Sequence, residues 1–182
     1  SAWGLSEEEM QGLKQANVNT INQILKKLDT VLALDDLNSI SSFAPITGIN
    51  EEGENEPFLH MIMCKCSGSI VNSKIAINMV LSFLEKKASN GILKERIKML
   101  MSLTESGKGQ TVLHLAATKK EKNTEILRLL NLGADITMKN AYGATPLVDM
   151  DSEVLEDFLY SKWTYEPKDT NPSDFIIKFD FS

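Results

Sequence analysis

The sequence predicts an all-α fold, built as a short stack of irregular helical repeats. A Gly-x-Thr-x-Leu motif occupies residues 109–113 and returns 34 residues later at 143–147, and such a period is typical of repeat architectures. Between the two copies, residues 125–136 carry apolar side chains at helical spacing. Two short amphipathic helices per unit cannot cover their own apolar faces, so the units must stack on neighbours.

Residues that start and stop helices stand at the places this reading requires. Thr111 can cap the first helix of its unit, and Pro146 stands where a missing N–H costs nothing. Gly133 supplies the positive φ that ends the second helix. The residues that define the unit share these structural roles; they are Thr111, Leu113, His114, Gly133, Gly143, Thr145, Pro146 and Leu147.

Together these motifs resemble the ankyrin repeat, with Thr-x-Leu-His-Leu-Ala opening a unit and Leu-Gly-Ala-Asp closing it. A weaker copy begins at Pro57 and continues into a helical run over residues 75–84. The two histidines, His60 and His114, each occupy the Leu-His position. The resemblance implies that they tie adjacent turns together by hydrogen bonds.

The flanking regions extend the stack in both directions. Residues 5–37 are predicted to be helical, with a capping-box start at Ser6, and residues 39–56 to be a long loop of the ankyrin-finger type. An extra helix is expected within residues 89–106.

At the other end, residues 151–160 are expected to form the last helix and residues 161–173 a loop. Alternation of apolar side chains predicts a strand over residues 174–181. The chain then divides into a cap or degenerate repeat (1–49), an irregular repeat (50–108), clear repeats (109–162) and a tail (163–182).

Charge is distributed unevenly along the chain, whose net charge is −6. Residues 61–142 carry 13 basic and 6 acidic side chains, whereas the segments on either side are acidic. The basic segment is either a set of solvated helix faces or an anion-binding surface. The acidic total and the lack of interleaved arginine and aromatic residues disfavour nucleic acid as a partner.

Catalysis and metal binding find little support in the sequence. Cys64 and Cys66 are two apart on a predicted helix, which suits neither a disulfide nor a shared metal, and adding His60 gives only three ligands. Reduced thiols in a reducing compartment such as the cytosol are therefore expected. No nucleophile, phosphate-loop or dinucleotide motif is present, so we expect neither enzyme activity nor a cofactor, unless His60 and Cys64 form an unrecognised site.

The closing segment carries a second, more specific resemblance. Residues 143–150 read Gly-Ala-Thr-Pro-Leu-Val-Asp-Met, and an acidic helix and the aromatic tail follow. Residues 124–181 resemble the end of the cytosolic ankyrin domain in transient-receptor-potential ankyrin-type (TRPA) cation channels, most closely the insect Painless branch. The resemblance implies a non-catalytic scaffold on the cytoplasmic side of the plasma membrane, within a tetrameric, calcium-permeable sensory channel.

Partners follow from this resemblance and from the tail. The resemblance implies contacts with the rest of the same subunit and with neighbouring subunits, without membrane insertion by these residues. In the tail, the period-2 pattern places one set of side chains on a shared face as a candidate interface: Phe175, Ile177, Phe179 and Phe181. In the intact channel we expect this strand to pair with another element of the membrane-proximal linker. In the present chain the tail should then either dock on its own repeats or pair with the tail of a second copy. The alternative is a stand-alone ankyrin adaptor or effector that binds a partner protein through its concave face.

Overall fold

The computed structural model describes residues 4–33, 47–49, 53, 55–65, 70–105, 107–118, 123–167 and 175–179. Helices dominate these residues, as the sequence predicts. The α-helices are α1 Glu7–Lys14, α2 Val18–Leu32, α3 Phe58–Lys65, α4 Ile70–Lys87, α5 Gly91–Met101, α6 Val112–Ala117, α7 Asn123–Asn131 and α8 Ser152–Lys162. The strands are β1 Thr47–Ile49, β2 Asn55–Pro57, β3 Trp163–Pro167 and β4 Phe175–Phe179, and a 3₁₀ turn spans Pro146–Val148.

Apart from α5, the helices of the described residues are arranged as four stacked pairs, which confirms the all-α repeat stack. Each pair has a first and a second element: α1 with α2, α3 with α4, α6 with α7, and the 3₁₀ turn with α8. The second helices α2, α4, α7 and α8 contact one another in that order, while α6 contacts both α3 and the 3₁₀ turn. A continuous core runs through the stack because each pair buries its apolar face on the next.

The first pair lies within residues 5–37, which the sequence predicts to be helical. The chain breaks after α1, where Ala16 has a φ of 52°, and α2 begins with the Asn17 side chain accepting a hydrogen bond from Thr20 N–H. The helices approach so closely that a Cβ at Gly12 would collide with the Thr20 side chain. The segment predicted to be helical therefore contains two helices, and residues 34–37 lie outside the described part of the chain.

A short hairpin precedes α3, in the region predicted to be a loop of the finger type. β1 and β2 pair antiparallel, with Thr47 opposite Pro57 and Ile49 opposite Asn55. Gly53, between the strands, has a φ of +80°, which a glycine adopts without steric cost. The remaining residues of the predicted loop lie outside the described ones.

Helix α5 lies where the sequence predicts an additional helix. The Asn90 side chain caps it by accepting from the backbone N–H groups of Ile92 and Leu93, and the helix packs on α2 and α4. Arg96 donates from Nη1 to the Leu32 carbonyl oxygen at 2.5 Å, which satisfies a carbonyl at the end of α2. The insertion thus packs against the second helices of the first two pairs.

The C-terminal strand is present, but its surroundings differ from the prediction. β3 and β4 pair antiparallel, with Trp163 opposite Phe179 and Pro167 opposite Phe175. The predicted loop over residues 161–173 is therefore wrong at β3, and the partner of the strand lies in this chain. Aromatic and β-branched residues favour the strand, and a proline is tolerated at the end of such an edge strand. Phe181 lies outside the described residues.

No helix in the described part of the chain combines the length and the apolar character that crossing a membrane requires.

Candidate functional site

Two of the turns between successive pairs form fingers, defined as residues 105 and 107–110 for the first and residues 140–144 for the second. In the first finger, Glu105 N–H donates to the Gln110 carbonyl oxygen at 3.0 Å, and Lys108 N–H donates to Glu105 Oε1 at 2.7 Å. In the second, the Asn140 carboxamide oxygen accepts from Tyr142 N–H at 2.9 Å and from Ala144 N–H at 3.0 Å. One side chain therefore closes each finger from within.

The two fingers are also joined to each other. Ala141 N–H in the second finger donates to the Lys108 carbonyl oxygen at 2.9 Å. Gly109, with a φ of +65°, faces Ala141 so closely that an added Cβ would lie 3.2 Å from Ala141 N. The left-handed conformation and this close approach explain why a glycine stands there.

Each histidine joins one pair to the next finger. His114 Nε2 lies 3.0 Å from the Ala144 carbonyl oxygen, and His60 Nε2 lies 2.9 Å from the Gln110 carbonyl oxygen. Because a carbonyl only accepts, both rings donate from Nε2. The acceptors are the residues immediately before Thr111 and Thr145, so the same link occurs at both junctions.

The other ring nitrogen distinguishes the two histidines. His114 Nδ1 accepts from Thr111 N–H at 3.1 Å, while Thr111 Oγ1 accepts from His114 N–H at 3.3 Å, so the two residues form a capping box. His60 Nδ1 is buried without a hydrogen-bond partner among the described residues. Pro57 occupies the position of Thr111 in that pair and has neither an N–H nor a hydroxyl group to offer.

The first and last pairs carry other residues at the histidine position. In the first, Glu9 and Ser6 form a capping box, and Lys27 Nζ lies 2.7 Å from Glu9 Oε1. Burial raises the pKa of Glu9, but the hydrogen bond and charge of Lys27, together with the Ser6 bonds, outweigh it and leave that pKa lowered. In the last pair Val148 stands at this position, and Thr145 makes no side-chain cap bond.

The buried His60 ring predicts a stability that depends on pH. Burial lowers the pKa of His60, although the Gln110 bond and the Glu105 charge act in the opposite direction. The unfolded chain therefore binds this proton at a higher pH than the folded chain does. We expect the free energy of unfolding to fall as the pH drops below about 6.5, with a slope of at most about 1.4 kcal/mol per pH unit.

Urea titrations of the wild type and of His60→Gln at pH 7.0, 6.0 and 5.5 measure this contribution. Glutamine can still donate to the Gln110 carbonyl but does not titrate. The free energy of unfolding of the variant should therefore depend less steeply on pH than that of the wild type. Glu9 contributes only at lower pH, because its lowered pKa makes stability fall as the pH drops through its acidic range. Parallel slopes for the two proteins would contradict the role of His60.

A polar clamp on the second helices has no counterpart in the sequence-based prediction. Arg128 on α7 donates from Nη1 to Asn78 Oδ1 at 2.8 Å and from Nη2 to Ser82 Oγ at 3.0 Å. Its Nε lies 2.9 Å from Glu85 Oε1. The three acceptors follow one face of α4 at helical spacing, and this polar stripe within an apolar helix was the signal available in the sequence.

Exposed side chains mark one end of each finger. Tyr142 is 77% exposed in the second finger, and Lys108, exactly one 34-residue period earlier, is exposed in the first. Both project from backbone that is fixed by the bonds described above. We call Lys108, Ala141 and Tyr142 the finger surface.

The other residues that the sequence predicts to define the repeat unit lie in the core or in turns. Leu113 and Pro146 are buried, while Leu147 is exposed. Gly133 has a φ of +101° at the end of α7, next to the Lys98 side chain, and Gly143 has a φ of +79° with open space around it.

Residues of the tail and one of the two cysteines lie in secondary-structure elements of the described chain. Phe175, Ile177 and Phe179 lie in β4. Cys64 lies in α3, and Cys66 is outside the described residues. Across the described chain, no group of three or more His, Cys, Asp and Glu side chains could hold a metal ion.

Comparison with known proteins agrees with this geometry. The family model described as ankyrin repeats (many copies) matches residues 100–147. Searches among curated proteins and among solved structures returned no significant match. The matched residues span the end of α5, both fingers, α6, α7 and most of the 3₁₀ turn. Residues 100–147 are thus similar to ankyrin repeats, and they lie within an all-α stack of paired helices.

Proposed function

We propose that the chain is a non-catalytic scaffold that binds a partner protein through the finger surface. The observation that carries this proposal is the exposure of Tyr142. Its large aromatic side chain stays in contact with solvent, because hydrogen bonds fix the backbone of the finger. Tyrosine in such a setting supplies contact area at a low cost in conformational entropy. The histidine links and the bond between the fingers give the surface a fixed shape before binding.

A peptide-display selection on the immobilised domain tests this function. Selected peptides are measured by fluorescence anisotropy against the wild type, Tyr142→Ser and Ile92→Ser. Ile92 serves as the control because it is 68% exposed but lies on α5. We expect a class of peptides whose affinity falls about tenfold or more in Tyr142→Ser and does not change in Ile92→Ser. Selected peptides that all bind Tyr142→Ser as well as the wild type would refute the proposal.

We further propose that this scaffold is the cytosolic, membrane-proximal part of a Painless-like TRPA channel and couples cytosolic contacts to gating. The support is the resemblance of residues 124–181, including the Pro-Leu-Val-Asp-Met variant at 146–150. In that setting the tail would contact another part of the subunit or a neighbouring subunit. The encoded sequence beyond Ser182 decides this, since a channel requires a run of about 20 apolar residues there.

A stand-alone ankyrin adaptor is the second candidate. The exposed finger surface favours it, because binding through Tyr142 requires no membrane or channel. A following sequence without an apolar run of spanning length, together with peptides that depend on Tyr142, would select the adaptor over the channel.

A further inference from the structure

The last pair presents a face that no described element of the stack covers. The 3₁₀ turn packs on α6, and α8 packs on α7, so both expose their opposite sides at the same end of the stack. Val148 is 71% exposed there. It stands at the position from which His60 and His114 reach the next finger, so it points to the place where another unit would dock.

Helix α8 contributes the other half of this face. Val154 and Phe158 are buried one turn apart, whereas Glu156, two residues from each, is exposed. The exposed side continues along the helix, since residues three and four apart lie on one face. We call the exposed residues of this pair the terminal face: Leu147, Val148, Asp149, Glu153, Glu156, Asp157 and Tyr160.

The terminal face combines apolar side chains with one sign of charge. From residue 140 to residue 161 the sequence contains five acidic side chains and no Lys, Arg or His. None of these carboxylates takes part in an ion pair within the described residues. Asp151 alone has a capping role, because its Oδ1 accepts from Glu153 N–H at 3.0 Å.

The negative charge of the terminal face decides which kind of partner can bind there. A symmetric dimer through the terminal face would place carboxylates of two copies against each other, and like charges at an interface are strongly unfavourable. The opposite end of the stack has no comparable apolar exposure on its first helix, where Glu7, Glu8, Gln11 and Lys14 are the exposed residues of α1. A positively charged partner with apolar side chains complements the terminal face.

We propose that the terminal face docks a basic amphipathic segment of a partner protein. The apolar side chains of the segment contact Val148, Leu147 and Tyr160, while its Lys or Arg side chains approach the carboxylates of Glu153, Glu156 and Asp157. The terminal face shares no residue with the finger surface, so different variants test the two proposals.

Two synthetic probes of equal length test the proposal by fluorescence anisotropy. Each is an 18-residue helix-forming peptide with leucine along one face, and the other face carries lysine in the first peptide and glutamate in the second. We expect the lysine peptide to bind the wild type at 50 mM salt, to bind at least tenfold more weakly at 300 mM, and the glutamate peptide not to bind.

Matched variants locate the site. Val148→Ser and the double variant Glu153→Lys/Glu156→Lys should each weaken the lysine peptide about tenfold or more. Ile92→Ser and Glu7→Lys/Glu8→Lys are the controls, because Ile92 is 68% exposed on α5 and the two glutamates are exposed on α1. These controls, and Tyr142→Ser, should leave binding of the lysine peptide unchanged.

Several outcomes would overturn the proposal. They are binding of the glutamate peptide, an undiminished affinity in Val148→Ser or the charge-reversal variant, and an equal loss in the α1 control. Concentration-dependent association in sedimentation equilibrium that disappears in Glu153→Lys/Glu156→Lys would identify a second copy as the occupant instead. Failure here leaves the finger surface untouched, since its test depends on Tyr142.

Discussion

Replacing Leu129 with alanine is expected to lower the free energy of unfolding by about 2–5 kcal/mol. Leu129 is fully buried on α7, and this helix packs on α4, α6 and α8. The cavity would therefore lie in the core shared by three pairs, where little can collapse to fill it. A urea titration followed by circular dichroism measures the loss.

The control is Thr124→Ala on the same helix. Thr124 is exposed, so this change should alter the free energy of unfolding by less than about 0.5 kcal/mol. If Leu129→Ala and Thr124→Ala had equal effects, the stacked-pair arrangement would be wrong.

The part of the fold that the sequence predicts best is the part with the strongest local signals. Between Thr111 and Pro146 the caps, the 34-residue period and Gly133 agree with one another, and such agreement across levels is what specifies a structure. The family match to residues 100–147 covers the same region.

Features that depend on contacts distant in sequence were not predictable in the same way. The break between α1 and α2 requires Ala16 to adopt a positive φ, which is uncommon for a residue with a Cβ. The pairing of β3 with β4 was missed because Pro167 reads as a loop signal, although an edge strand accepts it at its end.

The candidate site shows the same division. The histidine positions follow from the repeat, but the missing partner of His60 Nδ1 becomes apparent only when Pro57 is aligned with Thr111. Neither the fixed shape of the fingers nor the exposure of Tyr142 can be read from local pattern, since both depend on bonds such as Ala141 N–H to the Lys108 carbonyl. The clamp from Arg128 spans 50 residues to Asn78.

The largest effect of a polar substitution is expected at His114. Replacing it with alanine would remove the donor to the Ala144 carbonyl oxygen and the acceptor for Thr111 N–H. Thr111 is buried, so its N–H would be left without a partner and without water. We expect a loss of about 2–4 kcal/mol, because a buried unsatisfied group costs about 1–3 kcal/mol in addition to the hydrogen bonds lost.

Two conservative variants separate the cap from the link between pairs. Asparagine at position 114 can accept from Thr111 N–H but is too short to reach the next finger, whereas glutamine can donate to the Ala144 carbonyl oxygen but offers no atom where Nδ1 lies. In His114→Asn, amide exchange should therefore accelerate at residues 141–144 more than at residues 112–117. In His114→Gln the order should reverse, since the start of α6 loses its capping box. Uniform acceleration across both segments in both variants would show that His114 acts only by filling space, and that the ring does not hold the finger to the helix.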